Sequence, residues 1–279
     1  MASLVGAFAA SHGPIIARDW ETLPDGQRKR LAAGFDELGR RLRACRPDLL
    51  VIVSPDHWVN FFISNLPAVC IGIGEEHDGP PEPFMRKVFP RERLKGHAAF
   101  GRHLLDTALD SDFEPALSHR LKLDDGTCIP LWRMGVDAEL PIEPLIVNDL
   151  EEPMPSIRRC LAWGRLLRQA IESYPEPLRV AVLGTGGLSH SIGETTMGWI
   201  DEPFDHECIK HFERSEDVEL AAFLTNALPR TGNGAHEIRD WVVAHAAAGS
   251  RGFELIDYFP SPETLVGVAF ASWNVTAAR

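Results

Sequence analysis

The sequence of 279 residues predicts an α/β fold: a single domain with a mainly parallel central sheet flanked by helices. Two observations support this prediction. Short runs of apolar and β-branched residues recur along the chain, and amphipathic helical patterns lie between several of them. The chain contains no long linker, low-complexity tract or internal repeat that would divide it. We therefore expect one catalytic domain over residues 1–279.

Six segments have the composition of buried strands. They are residues 4–9, 49–54, 68–73, 143–147, 179–184 and 265–271. Continuous apolar runs of this length are typical of strands that are covered by helices on both faces of a sheet. In such folds, functional sites gather where the strands end.

Two segments between these strands have clear helical periodicity. Residues 25–45 place Leu31, Phe35 and Leu38 at three- and four-residue spacing, so that one helix face is apolar and the other is charged. Residues 156–174 repeat this pattern. Both segments are therefore predicted to be helices that cover the sheet.

Composition excludes several classes of function. A net charge of -12 and a pI near 5.4 argue against binding to nucleic acid or to an anionic membrane surface. The five cysteines are widely spaced and odd in number, which is typical of reduced core residues in a cytoplasmic protein. The N-terminal run MASLVGAFAASHGP lacks a basic segment and is too short to span a bilayer, so we interpret it as a first strand and predict no targeting signal.

Two histidines follow predicted strands directly. His12 comes after the first strand and His57 after the second, within the stretch VIVSPDHWVN. Because parallel strands end at the same edge of a sheet, their separation by 45 residues does not prevent them from sharing one site. A single histidine at such a position is more often a loop residue that is hydrogen-bonded to the backbone.

A third polar interruption is the stretch VAVLGTGGLSHSIG, residues 180–193. Its glycines match neither the dinucleotide-binding fingerprint nor the nucleophile elbow around a catalytic serine. Glycines in this position let the backbone approach a bound small molecule closely, which would direct His190 towards it. A tight turn with an exposed histidine is the alternative.

The fourth polar interruption lies in a predicted helix over residues 232–249, which is introduced by TGNG. Glu237 shares the apolar stripe of this helix with Trp241, whereas His236 and Asp240 fall on the polar side. A carboxylate on an inward-facing stripe must be paired, cap the helix N-terminus or bind a metal. Glu237 is therefore a better candidate ligand than His236, with capping as the alternative.

Two histidines and one carboxylate are the ligand set of non-haem Fe(II) oxygenases, and they leave coordination positions open for substrate and dioxygen. A zinc hydrolase can use the same three residues. The residue types alone do not choose between the two metals.

Several motifs in a fixed order resemble a known family. They are SHGP, RPDLLVIVSPDHW, LKLDDGTCIPL, PIEPLIVN, LGTGGLSH, FDHECIKHF and GNGAHEIRDW, and they span nearly the whole chain. Together they resemble the class III extradiol ring-cleavage dioxygenases, the family of the protocatechuate 4,5-dioxygenase β subunit. Within it, subunits that act on aminobiphenyl-diol or 2,3-dihydroxyphenylpropionate-type catechols are the most similar.

This resemblance implies an Fe(II) ion held by His12, His57 and Glu237, with His190 as the acid/base residue. It also implies a catechol- or aminophenol-like substrate, cleaved with O2 in aromatic compound degradation. Asp56 is expected to orient His57. We expect four residues to contact the substrate, namely Trp58, Gly186, Gly187 and Ser189.

The sequence departs from the family pattern at LKLDDGT, where Asp125 occupies the position of a histidine. Asp125 is therefore a candidate catalytic residue in its place, and His119, six residues upstream, is a second candidate. Two alternatives stay open: a zinc-dependent hydrolase that uses the same three ligands, or a non-catalytic relative, which the change to Asp125 favours slightly. We expect a homodimer or higher oligomer, with a separate small α subunit as a further possible partner.

Overall fold

The computed structural model describes residues 1–136 and 140–275. Its strands are β1 (Ser3–Ala10), β2 (Leu49–Ser54), β3 (Val69–Gly72), β4 (Glu76–Asp78), β5 (Arg93–Lys95), β6 (Ala116–Ser118), β7 (Ile142–Val147), β8 (Arg179–Thr185), β9 (Phe253–Ser261) and β10 (Val266–Trp273). Its helices are α1 (Pro14–Arg18), α2 (Asp25–Cys45), α3 (Pro83–Val88), α4 (Ala98–Asp110), α5 (Asp125–Met134), α6 (Ile157–Ser173), α7 (Glu202–Arg214), α8 (Asp217–Ala227) and α9 (Ile238–Ala247). Short 3-10 helices cover Trp20–Thr22, Leu228–Arg230 and Asn233–Glu237.

Within the described residues, eight strands form one sheet in the order β6-β3-β7-β2-β8-β1-β10-β9. The central strands β7, β2, β8 and β1 are parallel to one another. Antiparallel pairs occur towards both edges, where β3 joins β7 on one side and β10 joins β1 and β9 on the other. The predicted α/β fold with a mainly parallel sheet flanked by helices is therefore confirmed.

The sheet separates two hydrophobic cores, because side chains alternate between its faces. On β2, Val51 and Val53 belong to the core beneath α4, α6 and α9, whereas Leu50 and Ile52 belong to the core beneath α2 and α5. All six residues of this strand are buried. Burial on both faces explains why the strand is a continuous apolar run rather than an alternating pattern.

The six predicted strands correspond to β1, β2, β3, β7, β8 and β10, each within two residues at either end. The predicted helices correspond to α2 and α6. The predicted helix over residues 232–249 was partly wrong, because its first turn is a 3-10 helix and α9 begins only at Ile238. In the described part of the chain, no helix combines the length and the apolar character that crossing a membrane requires.

Candidate metal centre

Three histidines meet at one edge of the sheet. β8 lies between β1 and β2, and all three strands run in the same direction. Their carboxyl ends therefore lie side by side. The chain carries His12 shortly after β1, His57 shortly after β2 and His190 shortly after β8. The structure thus brings together three residues that are far apart in sequence.

Glu237 completes this group from the end of the 3-10 helix that precedes α9. The backbone N–H of Gly187 donates a hydrogen bond of 2.9 Å to Glu237 Oε2. A Cβ atom at Gly186 would lie 2.6 Å from the same oxygen, and Gly186 has a φ of +97°. The glycines thus let the backbone approach Glu237. Both glycines were expected to contact the substrate, but neither lines the cavity described below.

The donor atoms of His12, His57 and Glu237 lie within 4.8 Å of one another. The two Nε2 atoms are 3.4 Å apart, and Glu237 places Oε2 3.8 Å from His12 Nε2 and Oε1 3.6 Å from His57 Nε2. Two ligands about 2.1 Å from a shared ion and at right angles to each other are about 3 Å apart. The group therefore fits a divalent ion after small side-chain movements.

The electrostatics of the two innermost residues suit this use. Burial, only partly opposed by Glu237, lowers the pKa of His12 to about 4, so its imidazole is neutral and has a free lone pair. Burial alone would raise the pKa of Glu237, but His190 and His12 outweigh it and hold that pKa well below its usual range. Glu237 is therefore an ionised carboxylate, as a metal ligand must be.

His57 is oriented by Asp124, a residue that the sequence analysis missed. Asp124 Oδ2 accepts a 2.7 Å hydrogen bond from the His57 backbone N–H and lies 3.2 Å from His57 Nδ1. Burial lowers the pKa of His57, but Asp124 and then Asp125 outweigh it and raise that pKa well above its usual value. A carboxylate on the outer nitrogen of a histidine is the usual support of a metal ligand.

The expectation that Asp56 orients His57 was wrong. The Asp56 carboxylate accepts hydrogen bonds from the backbone N–H groups of residues 59, 60 and 61, so it holds the turn that follows His57. Because the Asp56 carboxylate caps this turn, it points away from the His57 imidazole and does not orient the ring.

His190 faces the three candidate ligands, and its imidazole has a defined tautomer. Its Nδ1 lies 3.0 Å from the carbonyl oxygen of Leu188, which can only accept, so Nδ1 carries the hydrogen. Nε2 lies 3.6 Å from Glu237 Oε1. Burial lowers the pKa of His190, but Glu237 and the Leu188 carbonyl outweigh it and raise that pKa above its usual value. A Cβ atom at Gly234 would overlap the imidazole ring, so Gly234 leaves room for it.

Ser189 was expected to contact the substrate, but its side chain belongs to a buried hydrogen-bond network. The Ser189 hydroxyl donates a 2.9 Å hydrogen bond to Asp205 Oδ2 and accepts one from the backbone N–H of Asp201. The hydroxyl of Tyr258 donates to the same Asp205 oxygen. Ser189 is fully buried in this network, so it holds the loop before His190 instead of facing the cavity.

The assignment of Asp240 to a polar helix face was also wrong, because its side chain is fully buried. It lies beside Asp149, which is buried as well. Burial and then Glu237 raise the pKa of Asp149 to about 8, and burial and then Asp149 raise the pKa of Asp240 well above its usual range. Burial therefore favours the protonated form of both carboxyl groups, which the helical wheel could not indicate.

A cavity of about 430 Å³ opens on the four residues. It is lined by His12, Gly13, Pro14, His57, Trp58, Glu82, Phe84, Asp125, Leu150, His190, Ile192, Asn233, Gly234, Glu237, Thr264 and Val266. Trp58 and Asp125, two of the candidate site residues, thus line this cavity. His119 is exposed and lines a different surface pocket with Glu75 and Arg93, because it directly follows β6 at the far edge of the sheet.

Comparisons with known proteins point to one enzyme family. The model of a family described as the catalytic LigB subunit of aromatic ring-opening dioxygenase matches residues 6–269. A 2,3-dihydroxyphenylpropionate/2,3-dihydroxicinnamic acid 1,2-dioxygenase of Mycolicibacterium paratuberculosis is 29% identical over 93% of this chain and 95% of its own.

Two further comparisons cover either part of the chain or its fold alone. A gallate dioxygenase of Pseudomonas putida is 32% identical over 53% of this chain and 44% of its own. The crystal structure of an uncharacterized protein from Escherichia coli K12 superposes with a TM-score of 0.63 at 15% identity, covering 96% of this chain and 99% of that chain. At this identity, the match shows a shared fold.

Proposed function

The chain belongs to the family of catalytic LigB subunits of aromatic ring-opening dioxygenases, and we propose that it cleaves a catechol-type ring beside the diol, with Fe(II) held by His12, His57 and Glu237. The observation that supports this assignment most directly is the convergence of two imidazoles and one ionised carboxylate at the floor of a cavity. The relatives named above as dioxygenases act, by their names, on aromatic diols.

Because the protein would supply three ligands, other coordination positions of the ion would stay open for the diol and for dioxygen. A ferrous ion there would supply a Lewis acid for the diol oxygens and a route for electrons to dioxygen. The protein would supply binding and proton transfer. A volume of about 430 Å³ is sufficient for a substituted single ring, and Trp58 and Phe84 provide apolar wall.

His190 would accept the proton of a diol hydroxyl at Nε2, since Nδ1 already carries a hydrogen that is donated to Leu188. The same nitrogen would return that proton when the ring opens. Asp125 is the second candidate acid/base in the cavity. Burial, opposed by His57, raises its pKa to about 6, so it can exchange a proton near neutral pH.

The test is reconstitution of metal-free protein with Fe(II), Zn(II) or Mn(II) under anaerobic conditions. Catechols, aminophenols and gallate-like acids are then added, oxygen is admitted, and oxygen uptake is followed together with the yellow ring-fission product. With Fe(II), but not with Zn(II) or Mn(II), we expect one O2 to be consumed for each ring that is opened. Hydrolysis of an ester or amide with Zn(II), without oxygen uptake, would instead establish a zinc hydrolase.

The assignment of ligands has its own test. His57→Ala is expected to lose iron, measured by metal analysis after dialysis, whereas His119→Ala is a matched control because its imidazole is exposed in another pocket. Retention of iron by His57→Ala at the affinity of the unaltered protein would exclude His57 as a ligand.

We also propose that residues 1–279 act as a single catalytic domain in the cytoplasm. A homodimer or higher oligomer, and a requirement for a small α subunit, stay predictions. Light scattering of the purified chain, with activity measured on the same fraction, tests both.

A further inference from the structure

The outer wall of the cavity is acidic. Glu82 is the residue immediately before α3, and Asp125 is the first residue of α5; both line the cavity opposite the strand ends. Glu82 Oε2 is buried and has no hydrogen-bond partner among the described residues. Asp125 is nine-tenths buried. These two carboxyl groups therefore face the cavity in which a diol would bind.

Among the described residues that line this cavity there is no lysine or arginine. Its acidic side chains are those of Glu82, Asp125 and Glu237, and its basic ones are the imidazoles of His12, His57 and His190. Glu237 is a candidate metal ligand and would be neutralised by the ion, and Asp125 Oδ1 lies 3.4 Å from His57 Nδ1. Glu82 is therefore the carboxyl group of this wall that has an oxygen without a partner among the described residues.

This arrangement is unsuited to a carboxylate on the substrate. Proteins normally recognise carboxylates with arginine or lysine, through charge-assisted hydrogen bonds. The relatives described above are named for ring hydroxy compounds that bear a carboxylate, dihydroxyphenylpropionate and gallate. In this chain, burial and then the nearby Asp125 and Asp124 raise the pKa of Glu82 to about 7, and the same local field would oppose a negative charge on the substrate.

Resting on the proposed ring-opening function, we propose that the substrate is a diol whose ring carries a protonated aliphatic amine, and that Glu82, supported by Asp125, selects for this cation. An ammonium group placed against Glu82 gains an ionic hydrogen bond at an oxygen that has no partner. Glu82 is thus a specificity-determining residue. It does not need to touch the reacting oxygens.

Steady-state kinetics on three diols of similar length test the proposal: 4-(2-aminoethyl)catechol, 4-propylcatechol and 3-(3,4-dihydroxyphenyl)propionate. We expect kcat/KM with the Fe(II)-loaded protein to be highest for the amine, at least about tenfold above that of the acid. Glu82→Gln should narrow this ratio to near unity, and Glu82→Lys should reverse it. Glu176→Gln is the matched control, because Glu176 is exposed near the amino end of β8, at the opposite edge of the sheet.

Binding to metal-free protein separates this proposal from the proposed reaction. Calorimetry with two non-reacting phenols, tyramine and 3-(4-hydroxyphenyl)propionate, should show tighter binding of the amine, and Glu82→Gln should abolish the difference. If the amine binds more tightly through Glu82 but no diol is opened, the proposed selectivity for amines is supported and the proposed ring-opening activity is wrong. If diols are opened but the acid is preferred, or Glu82→Gln leaves the ratio unchanged, the amine proposal is wrong.

Discussion

Glu237 and Glu143 are both buried glutamates, but their surroundings differ completely. Glu237 lies at the carboxyl edge of the sheet, within 3.8 Å of imidazole nitrogens of His12, His57 and His190, and accepts a hydrogen bond from Gly187. Glu143 is the second residue of β7, and neither of its carboxyl oxygens has a hydrogen-bond partner in the described part of the chain.

The pKa values of the two groups move in opposite directions. The histidines around Glu237 outweigh burial and hold its pKa well below the usual range, whereas burial raises the pKa of Glu143 well above it. Burial of a carboxyl group therefore does not by itself indicate a metal ligand, since a glutamate can also be buried as the neutral acid. The distinguishing feature is convergence of groups that stabilise the charge.

The same isosteric substitution at both positions sharpens this comparison and gives the largest expected effect. Glu237→Gln replaces an anionic ligand with a neutral amide, so we expect metal affinity to fall by more than about 100-fold, beyond what removal of a supporting residue causes. Glu143→Gln should leave metal affinity unchanged. Metal titration of both variants checks this, and equal losses in the two would show that folding, not ligation, is being measured.

The next largest effect is expected on kcat, in a variant that still binds the metal. His190→Ala removes the imidazole that faces the cavity but none of the three candidate ligands, so we expect bound iron to persist and kcat to fall by about 10² to 10⁴-fold. Metal analysis and oxygen uptake on one preparation measure both quantities. A variant that loses iron in parallel with activity would make His190 a fourth ligand.

The strand-end part of the site could be predicted from the sequence for a physical reason. Buried parallel strands have a continuous apolar pattern, and polar residues that end such runs, as His12 and His57 do, must lie at one edge. The family resemblance found from the ordered motifs is confirmed by the family match over residues 6–269. Asp124 could have been found as well, since it caps α5 by accepting a 3.1 Å hydrogen bond from the Gly126 N–H.

The outer wall could not be predicted in this way. Glu82 lies in the stretch GPPEPF, which has turn residues but no periodicity from which a facing direction can be derived. Likewise, strands β4, β5 and β6 are three residues long and were missed, because so short a segment has no distinctive pattern. The burial of Ser189 could not be predicted, because its partner Asp205 comes from a helix that the sequence analysis did not place against this loop.

A smaller effect on metal affinity is expected for Asp124, which supports the candidate ligand His57. Asp124→Asn weakens the support of His57, because the amide keeps one acceptor oxygen but no charge, and loss of such a supporting carboxylate typically costs about 10- to 100-fold in metal affinity. Asp56→Asn is the matched control, since its carboxylate holds the following turn and not the ring. If Asp56→Asn has the larger effect, the turn rather than Asp124 positions the imidazole.

The smallest expected effect is the pH dependence of stability that arises from Glu143. Because the folded state raises its pKa well above the ordinary value of 4.5, the folded protein keeps this proton while the unfolded chain releases it. Stability is therefore lost as the pH rises from 4.5 towards the folded pKa, by at most about 1.4 kcal/mol per pH unit for one proton, and the slope vanishes above that pKa. This direction is opposite to that of a salt-bridged carboxylate.

Glu143→Gln removes this titration while keeping the shape that fits against Gly101 of α4, where a methyl group would collide with the Glu143 carboxyl. We expect the variant and the unaltered protein to have similar free energies of unfolding near pH 5, and the variant to be the more stable near pH 8. Urea denaturation at both pH values, with Glu176→Gln as an exposed control, measures the difference. A variant that is less stable at both pH values would mean that Glu143 is ionised and has a partner, and the contrast with Glu237 would fail.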